Sequence, residues 1–350
     1  MSEPILEVDD LTIQYRTDAG PVTAVSDASF TIGEGEYFGL VGESGCGKST
    51  IANAVLGGLD PNGEVVAGSI RYRGQELQDM SESELNAAVR WDEIAWIPQG
   101  SMNSLNPLET ISEQAFEIAK AHTDMTRAET MEKFRELFEI VGLNESRIDD
   151  YPHQFSGGMQ QRAIIALSLL LDPSLIVADE PTTALDVIMQ DQIFKYLDRI
   201  KTEMNTSMLM ITHDISVIFE SCDRLAIMHA GQIGETGTTE QLYDDPRHPY
   251  SILLQGAFPD IRQLDRELAT IEGHPPQNIG DVTACTFADR CPWAVEECRE
   301  SAPELEPVSD ADEFHRGACF RKDEIHELIE SEGGDVTSYE TGAVDGPSSN

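Results

Sequence analysis

The stretch Gly42-Glu43-Ser44-Gly45-Cys46-Gly47-Lys48-Ser49-Thr50 places a glycine, four residues, then Gly-Lys-Ser, a pattern that wraps phosphate groups. The glycines let backbone N–H groups turn inward around phosphate oxygens, and the start of a helix adds positive potential there. Lys48 is placed to reach β- and γ-phosphates, and the Ser49 hydroxyl to ligate Mg²⁺. The context such a loop needs is present. The apolar run from Tyr37 to Val41 reads as a buried strand, and Ser49 to Leu56 reads as a helix. An ordinary glycine-rich turn that happens to hold a lysine is the alternative, and it leaves the fit of both flanking elements unexplained.

Other residues could act on such a phosphate. Leu175-Ile176-Val177-Ala178 runs into Asp179-Glu180. Four apolar residues directly before the two acids mark a central strand, against the alternative of a surface pair. Asp179 can hold Mg²⁺ through water, and Glu180 can orient or deprotonate an attacking water. Met208 to Thr212 is a further apolar run that ends in His213-Asp214. A lone histidine is usually structural, but one on the same edge as Asp179 and Glu180 can touch a γ-phosphate. Ser156-Gly157-Gly158 opens the helix that carries Ala163 to Leu171, a second phosphate-type site at a helix start. Alone it is weak, because Ser-Gly-Gly is common in turns. Tyr15, on a strand end upstream of the loop, can stack on an adenine ring or serve as a core or rim residue.

The elements that must position these groups follow from periodicity. Residues 5 to 36 alternate apolar and polar and predict an antiparallel β-subdomain with a turn at Gly20-Pro21. Gly68 to Gly74 reads as a hairpin strand, Leu77 to Val89 as a helix, and Ile94 to Ile97 as a strand before Pro98-Gln99. A mainly helical region spans about Ile111 to Ser146. A helix from Met189 to Met204 leads to the strand before His213. Leu225 to Met228, a turn at Ala230-Gly231-Gln232, and Ile233 predict a small antiparallel edge.

At 350 residues the chain has room for two or three domains. Against 64 acidic residues stand 23 basic ones, for a net charge of −41. Such a surface repels nucleic acid and anionic lipid. The acids are spread along the chain, which reads as adaptation to a salty cytoplasm, where the Debye length falls to about 3 Å at 1 M. The alternative is an ordinary acidic protein with an acidic tail. The N-terminus carries no basic region followed by an apolar stretch, so no signal peptide is expected. The apolar stretch near Ala163 to Leu171 is too short to span a bilayer, so a membrane role must come through a partner. Of the six cysteines, Cys46 lies in the phosphate loop and Cys222 is isolated. Cys285, Cys291, Cys298 and Cys319 cluster near the C-terminus, more often a sign of metal than of disulfides in a cytosolic chain.

The order phosphate loop, Gln99, Ser156-Gly157-Gly158, Asp179-Glu180, Asp186, His213 resembles that of ABC transporter ATPase subunits, over residues 1 to about 320. The resemblance implies an α/β fold: a P-loop NTPase core with an antiparallel β-subdomain, a helical subdomain inserted at about 100–170, and a small cysteine-containing C-terminal extension. It divides the chain into an ATPase domain over 1–255, the extension over 256–320, and an acidic tail over 321–350, expected to be disordered at its end. It makes Gln99 the loop glutamine that senses Mg²⁺ and links core to helical subdomain, Glu180 the catalytic carboxylate, His213 the switch histidine, and Tyr15 the adenine-stacking residue. Phe155-Ser156-Gly157-Gly158-Met159 matches the signature loop but departs at Phe155, usually Leu, and Met159, usually Gln.

A narrower likeness points to the oligopeptide/dipeptide importer branch. It rests on Tyr151-Pro152-His153-Gln154, Ser104-Leu105-Asn106-Pro107, Pro246-Arg247-His248-Pro249-Tyr250 and Cys291-Pro292. That branch also holds nickel-import subunits, and solutes are not read from this chain. In this family two subunits sandwich two ATP molecules between one phosphate loop and the partner's signature. This chain has one of each, so it must pair with itself or a homologous subunit. The implied partners are also a transmembrane permease and, indirectly, an external solute-binding protein, with the chain peripheral on the cytoplasmic face of the membrane. A soluble ABC ATPase acting on DNA or ribosomes is the competing class. It usually carries coiled coils or two ATPase modules, and the charge disfavours nucleic acid. The four C-terminal cysteines are separated by five, six and twenty residues, with no Cys-x-x-Cys pair. Some dipeptide importer ATPases carry a four-cysteine iron–sulfur site in this extension, so a [4Fe–4S] cluster is expected, with Zn²⁺ or four free or disulfide-paired thiols as the alternatives.

Overall fold

A computed structural model describes residues 4–100, 104–182, 187–257, 271–276, 278–309 and 312–331. Asp186 and the tail beyond 331 lie outside these residues. Two sheets organise the chain. The smaller is antiparallel in the order β2 (Gly20–Ile32), β1 (Leu6–Thr17), β4 (Gly63–Tyr72), β5 (Gln75–Glu76). The larger has five parallel strands at its heart: β6 (Ile94–Ile97), β7 (Leu175–Asp179), β8 (Ser207–Thr212), β3 (Tyr37–Val41) and β9 (Arg224–His229). β10 (Gln232–Thr238), β12 (Asp312–Gly317) and β11 (Glu306–Ser309) then add on antiparallel.

The central strands are apolar on both faces because both faces are covered, as parallel sheets require. Successive side chains of a strand point to opposite faces, and the two cores divide accordingly. Phe38, Leu40, Val177, Leu209 and Ile211 pack with the small sheet and with Ile51 and Val55 of the helix Lys48–Val55. Tyr37, Val41, Ile176, Ala178, Met208 and Met210 pack on the other face, in one core with Phe134, Phe138 and Ile165 of the helical region. That region holds helices Ile111–His122, Arg127–Ile140 and Gly157–Ser168. The first two begin in capping boxes, Thr110 with Glu113 and Thr126 with Glu129, worth about 1 kcal/mol per cap.

One expectation changes. Helix begins at Glu82, not Leu77, because Ser81 caps Glu84 and residues 75–76 pair as β5. The expected antiparallel edge is present as the β9–β10 hairpin, with β9 itself parallel to β3. The C-terminal extension adds to the main sheet, which β12 and β11 continue. Glu235 of β10 is fully buried and accepts from the backbone N–H of Arg247 and His248, with His315 Nε2 of β12 2.9 Å from its Oε1, so neither carboxylate oxygen is left without a partner in the seam. The first part of the expected tail is ordered as well, with Ile325 and Ile329 of the helix Ile325–Ser331 buried in the core.

Candidate active site

β3 ends at Val41 and the phosphate loop follows. Gly47 has φ +106°, and a Cβ there would clash with the Ala24 carbonyl, so the tight turn into the helix admits only glycine. Gly45 has φ +82°, and a Cβ there would meet no protein atom within 4 Å. The exposed tip at Ser44 and Gly45 is thus open space, while Cys46 is buried beneath it. Burial holds the Cys46 thiol above its ordinary pKa, which makes it packing, not a nucleophile. The Lys48 ammonium folds back onto the carbonyls of Gly42 (2.7 Å) and Glu43 (2.9 Å). The ammonium is thus held inside the loop by its own backbone. Ser49 and Thr50 open the helix behind it.

β6, β7 and β8 are adjacent and parallel, so their carboxyl ends lie side by side. Each end supplies one expected residue: Gln99 after β6, Glu180 after β7, His213 after β8. Glu180 takes the middle. Its Oε2 accepts from Gln99 Nε2 at 2.9 Å, and its Oε1 lies 3.0 Å from His213 Nδ1. Glu180 sits at φ +48°, a left-handed conformation costly for a non-glycine residue. Its N–H bonds the Ile211 carbonyl of β8 (2.8 Å). Asp179, just inside the strand, is buried, and its Oδ1 has no hydrogen-bond partner. Burial raises its pKa, while a hydrogen bond with Ser49 lowers it. A buried, orphaned carboxylate oxygen beside the Ser49 hydroxyl fits a magnesium ion's oxygen ligands.

The other expected residues sit as follows. Tyr15 is half-buried opposite Val22 and Gly63, and its ring covers Gly63 so closely that a Cβ there would lie 2.8 Å from the ring edge. Ser156 caps the helix Gly157–Ser168 in position, but its side chain makes no capping bond. Met189 closes over Gly158. Asp186 lies outside the described residues.

The four C-terminal cysteines line one small cavity, with Phe287, Trp293 and Phe320 among its other walls. The backbone N–H of Cys285 bonds the Cys298 carbonyl (3.0 Å). Burial pushes the Cys285 thiol up to about 11 and that of Cys319 to about 12. Cys291 is also raised by burial, then by Cys319, Cys285 and Cys298. Burial thus favours the protonated thiols of Cys285, Cys291 and Cys319, and a bound cation would be needed to hold these three as thiolates. Among the described residues no group of three or more His, Cys, Asp or Glu side chains is set to hold a metal ion.

Sequence reasoning missed the groups that hold the phosphate loop from outside. Arg290, between Cys285 and Cys298, pairs with Glu43, and the Tyr250 hydroxyl accepts from the Glu43 N–H at 3.0 Å. Tyr250 belongs to the stretch that carried the narrower likeness, but nothing local in it signals a contact 207 residues away.

Two family models match the chain: "ABC transporter" over residues 25–183 and "Oligopeptide/dipeptide transporter, C-terminal region" over residues 235–298. The oligopeptide transport ATP-binding protein OppD of Salmonella typhimurium is 43% identical over 327 residues, 93% of this chain and 95% of that protein. The dipeptide transport ATP-binding protein DppD of Escherichia coli is 38% identical over 308 residues, 87% of this chain and 94% of that one. Among solved structures, a dimeric ATP-binding cassette in a post-hydrolysis state with ADP and Pi aligns at a TM-score of 0.60 and 27% identity, covering 67% of this chain and 98% of that one. The loop, the three strand-end residues and the matched C-terminal region agree: the chain belongs to the ATP-binding subunits of ABC transporters, in the group with the oligopeptide/dipeptide C-terminal region.

Proposed function

We propose that this chain hydrolyses ATP to power the import of peptides through a membrane permease. It works as one of two ATPase subunits on the cytoplasmic face, homo- or heterodimeric. The single observation that carries the chemistry is the row Gln99, Glu180, His213 on three adjacent strand ends beside the phosphate loop. The peptide assignment is supported by the C-terminal match and by relatives named for oligopeptide and dipeptide transport. No helix among the described residues is long and apolar enough to cross a membrane, which agrees with a subunit that acts through a separate permease.

In this reading residues 1–255 form the ATPase unit and the rest an accessory region. The loop glycines Gly42, Gly45 and Gly47, with Ser44 and Thr50, surround the phosphates, and Lys48 leaves its two loop carbonyls for the β- and γ-oxygens. Tyr15 carries the adenine. Ser49, Asp179 and Gln99 would hold Mg²⁺, which would supply neutralisation of phosphate charge. Glu180 takes a proton from, or orients, the attacking water, and His213 holds that carboxylate and meets the γ-phosphate. Ser156, Gly157 and Gly158, with the hydroxyl uncommitted to its own helix, face the partner's nucleotide, and Asp186 is assigned to the same nucleotide-binding set. Closure of two subunits on ATP is stabilised by differential binding to the closed dimer.

Cys285, Cys291, Cys298 and Cys319 would hold a [4Fe–4S] cluster, with zinc as the alternative; the support is their convergence on one cavity. The net charge of −41 supports a protein that works in high salt. The function is tested by reconstituting the chain with its permease in liposomes. Peptide-stimulated ATP hydrolysis is expected, and a transporter that hydrolyses ATP equally with and without any peptide or binding protein rejects the substrate class.

A further inference from the structure

Arg290 lies 247 residues from the phosphate loop yet grips it. Its Nη1 donates to Glu43 Oε2 and its Nη2 to Glu43 Oε1, both at 2.7 Å. This is the two-pronged geometry in which a guanidinium binds a carboxylate most strongly. The side chain of Arg290 is only 8% exposed. Its Nε also donates, to the Glu272 carbonyl at 2.9 Å. Nη1 additionally lies 2.9 Å from His229 Nε2. Burial first, then the Arg290 cation, lowers the His229 pKa to about 3. The ring is therefore neutral, accepts at Nε2, and leaves Nδ1 for Thr286 Oγ1 at 3.1 Å. Behind these, the His229 ring packs edge to face on Tyr250 and on Phe287, which are tilted against each other.

The arrangement has two consequences for the loop. Glu43 is a carboxylate inside a site for phosphate, and uncompensated it would repel the ligand. Arg290 cancels that charge. The Tyr250 hydroxyl and the Arg290 fork also fix Glu43 at backbone and side chain, so the turn from Gly42 to Cys46 is set before nucleotide arrives. A preset site loses less ordering entropy on binding. Both Arg290 and Thr286 come from the segment between Cys285 and Cys291, so this part of the extension is braced directly on the phosphate loop.

We propose that Arg290 is a positioning residue for nucleotide binding: through its paired bonds to Glu43 it neutralises and presets the phosphate loop. It touches no reacting atom, so its effect falls on affinity and not on the chemical step. The inference rests on the ATP-binding reading of this loop, and parent protein that binds no MgADP would reject that reading before the variants are compared. Measured on the full chain, Arg290→Ala should weaken MgADP binding at least tenfold and raise the KM for MgATP similarly, with kcat within about threefold of the parent. Amide exchange over residues 42–47 of the nucleotide-free protein should quicken. Glu43→Gln removes the charge that needs cancelling, so adding Arg290→Ala to it should cost at most a third of what it costs alone. Arg290→Lys keeps the cation without the fork; it should fall between parent and Ala, and it stands in if the Ala variant does not fold. MgADP affinity within twofold of the parent in Arg290→Ala, or in Arg290→Lys where only that variant folds, overturns the proposal. So does a loss of the same size whether Glu43 is intact or replaced by glutamine, or a loss confined to kcat.

Discussion

Replacing Glu180 with Gln separates the chemistry of the site from its architecture. The carboxylate binds Gln99 Nε2 with one oxygen and faces His213 Nδ1 with the other. A glutamine side chain has the same shape. With its carbonyl oxygen toward Gln99 and its amide toward an unprotonated Nδ1, it can keep both bonds. Each is worth about 0.5–1.5 kcal/mol net, so the variant should unfold within about 1 kcal/mol of the parent, or roughly 2–4 °C in thermal midpoint. The φ of +48° is unchanged by the swap. The proton-accepting group is lost, and general-base catalysis is worth about 10²–10⁴-fold. At 1.36 kcal/mol per tenfold, the lower limit is about 2.7 kcal/mol of barrier, well above any stability change. Lys48, Ser49 and Asp179 remain, so Mg²⁺ and ATP should still bind and ATP should hold the dimer closed. Steady-state phosphate release and size-exclusion chromatography with MgATP read the two effects. Near-parent hydrolysis in a folded Glu180→Gln variant would refute the assignment of Glu180 as the base.

Two further outcomes are expected. Anaerobic purification should give a brown protein with about four irons per chain, and Cys291→Ser should lose the metal and destabilise the extension while ATP still binds; a colourless chain with one zinc would keep the ligands and reject the cluster. Thermal unfolding in rising KCl should show a midpoint that climbs toward molar salt as self-repulsion is screened, and a flat midpoint would sink the halophilic reading.

What was legible in the sequence was what depends on neighbours in the chain. The phosphate loop is nine consecutive residues, and the apolar runs before Asp179 and His213 announce strands because both faces of β7 and β8 are buried. That these two strands and β6 lie side by side was not legible from pattern alone; only the order of motifs, read as a family likeness, brought Gln99, Glu180 and His213 together. The left-handed backbone at Glu180 carries no signal either, since position 180 is not a glycine. The extension was legible only as a cluster of cysteines. Its strands Glu306-Pro307-Val308-Ser309 and Asp312 to Gly317 lack an apolar alternation; the first is the edge strand, with one side of its ladder unpaired, and the second lies between it and β10. What secures them is a buried polar seam, Glu235 with His315, whose partners are 80 residues apart.

The scarce cations show where this acidic chain needs holding. Only 23 lysines and arginines face 64 acids, and several of the least exposed stand at seams. Arg290 joins extension to phosphate loop. Lys322, 14% exposed, ties β11 through Glu306. Arg224 bonds Glu36 and the Thr31 carbonyl where β9, β3 and β2 meet. Salt screens exposed charges separated by more than a Debye length far more than it screens close, partly buried pairs. Rising salt should therefore relieve the diffuse repulsion among surface carboxylates while leaving the Arg290–Glu43 fork nearly intact. If the fork presets the phosphate loop, nucleotide affinity should hold in KCl that raises the protein's stability. A chain that depended instead on exposed ion pairs would lose stability in the same range.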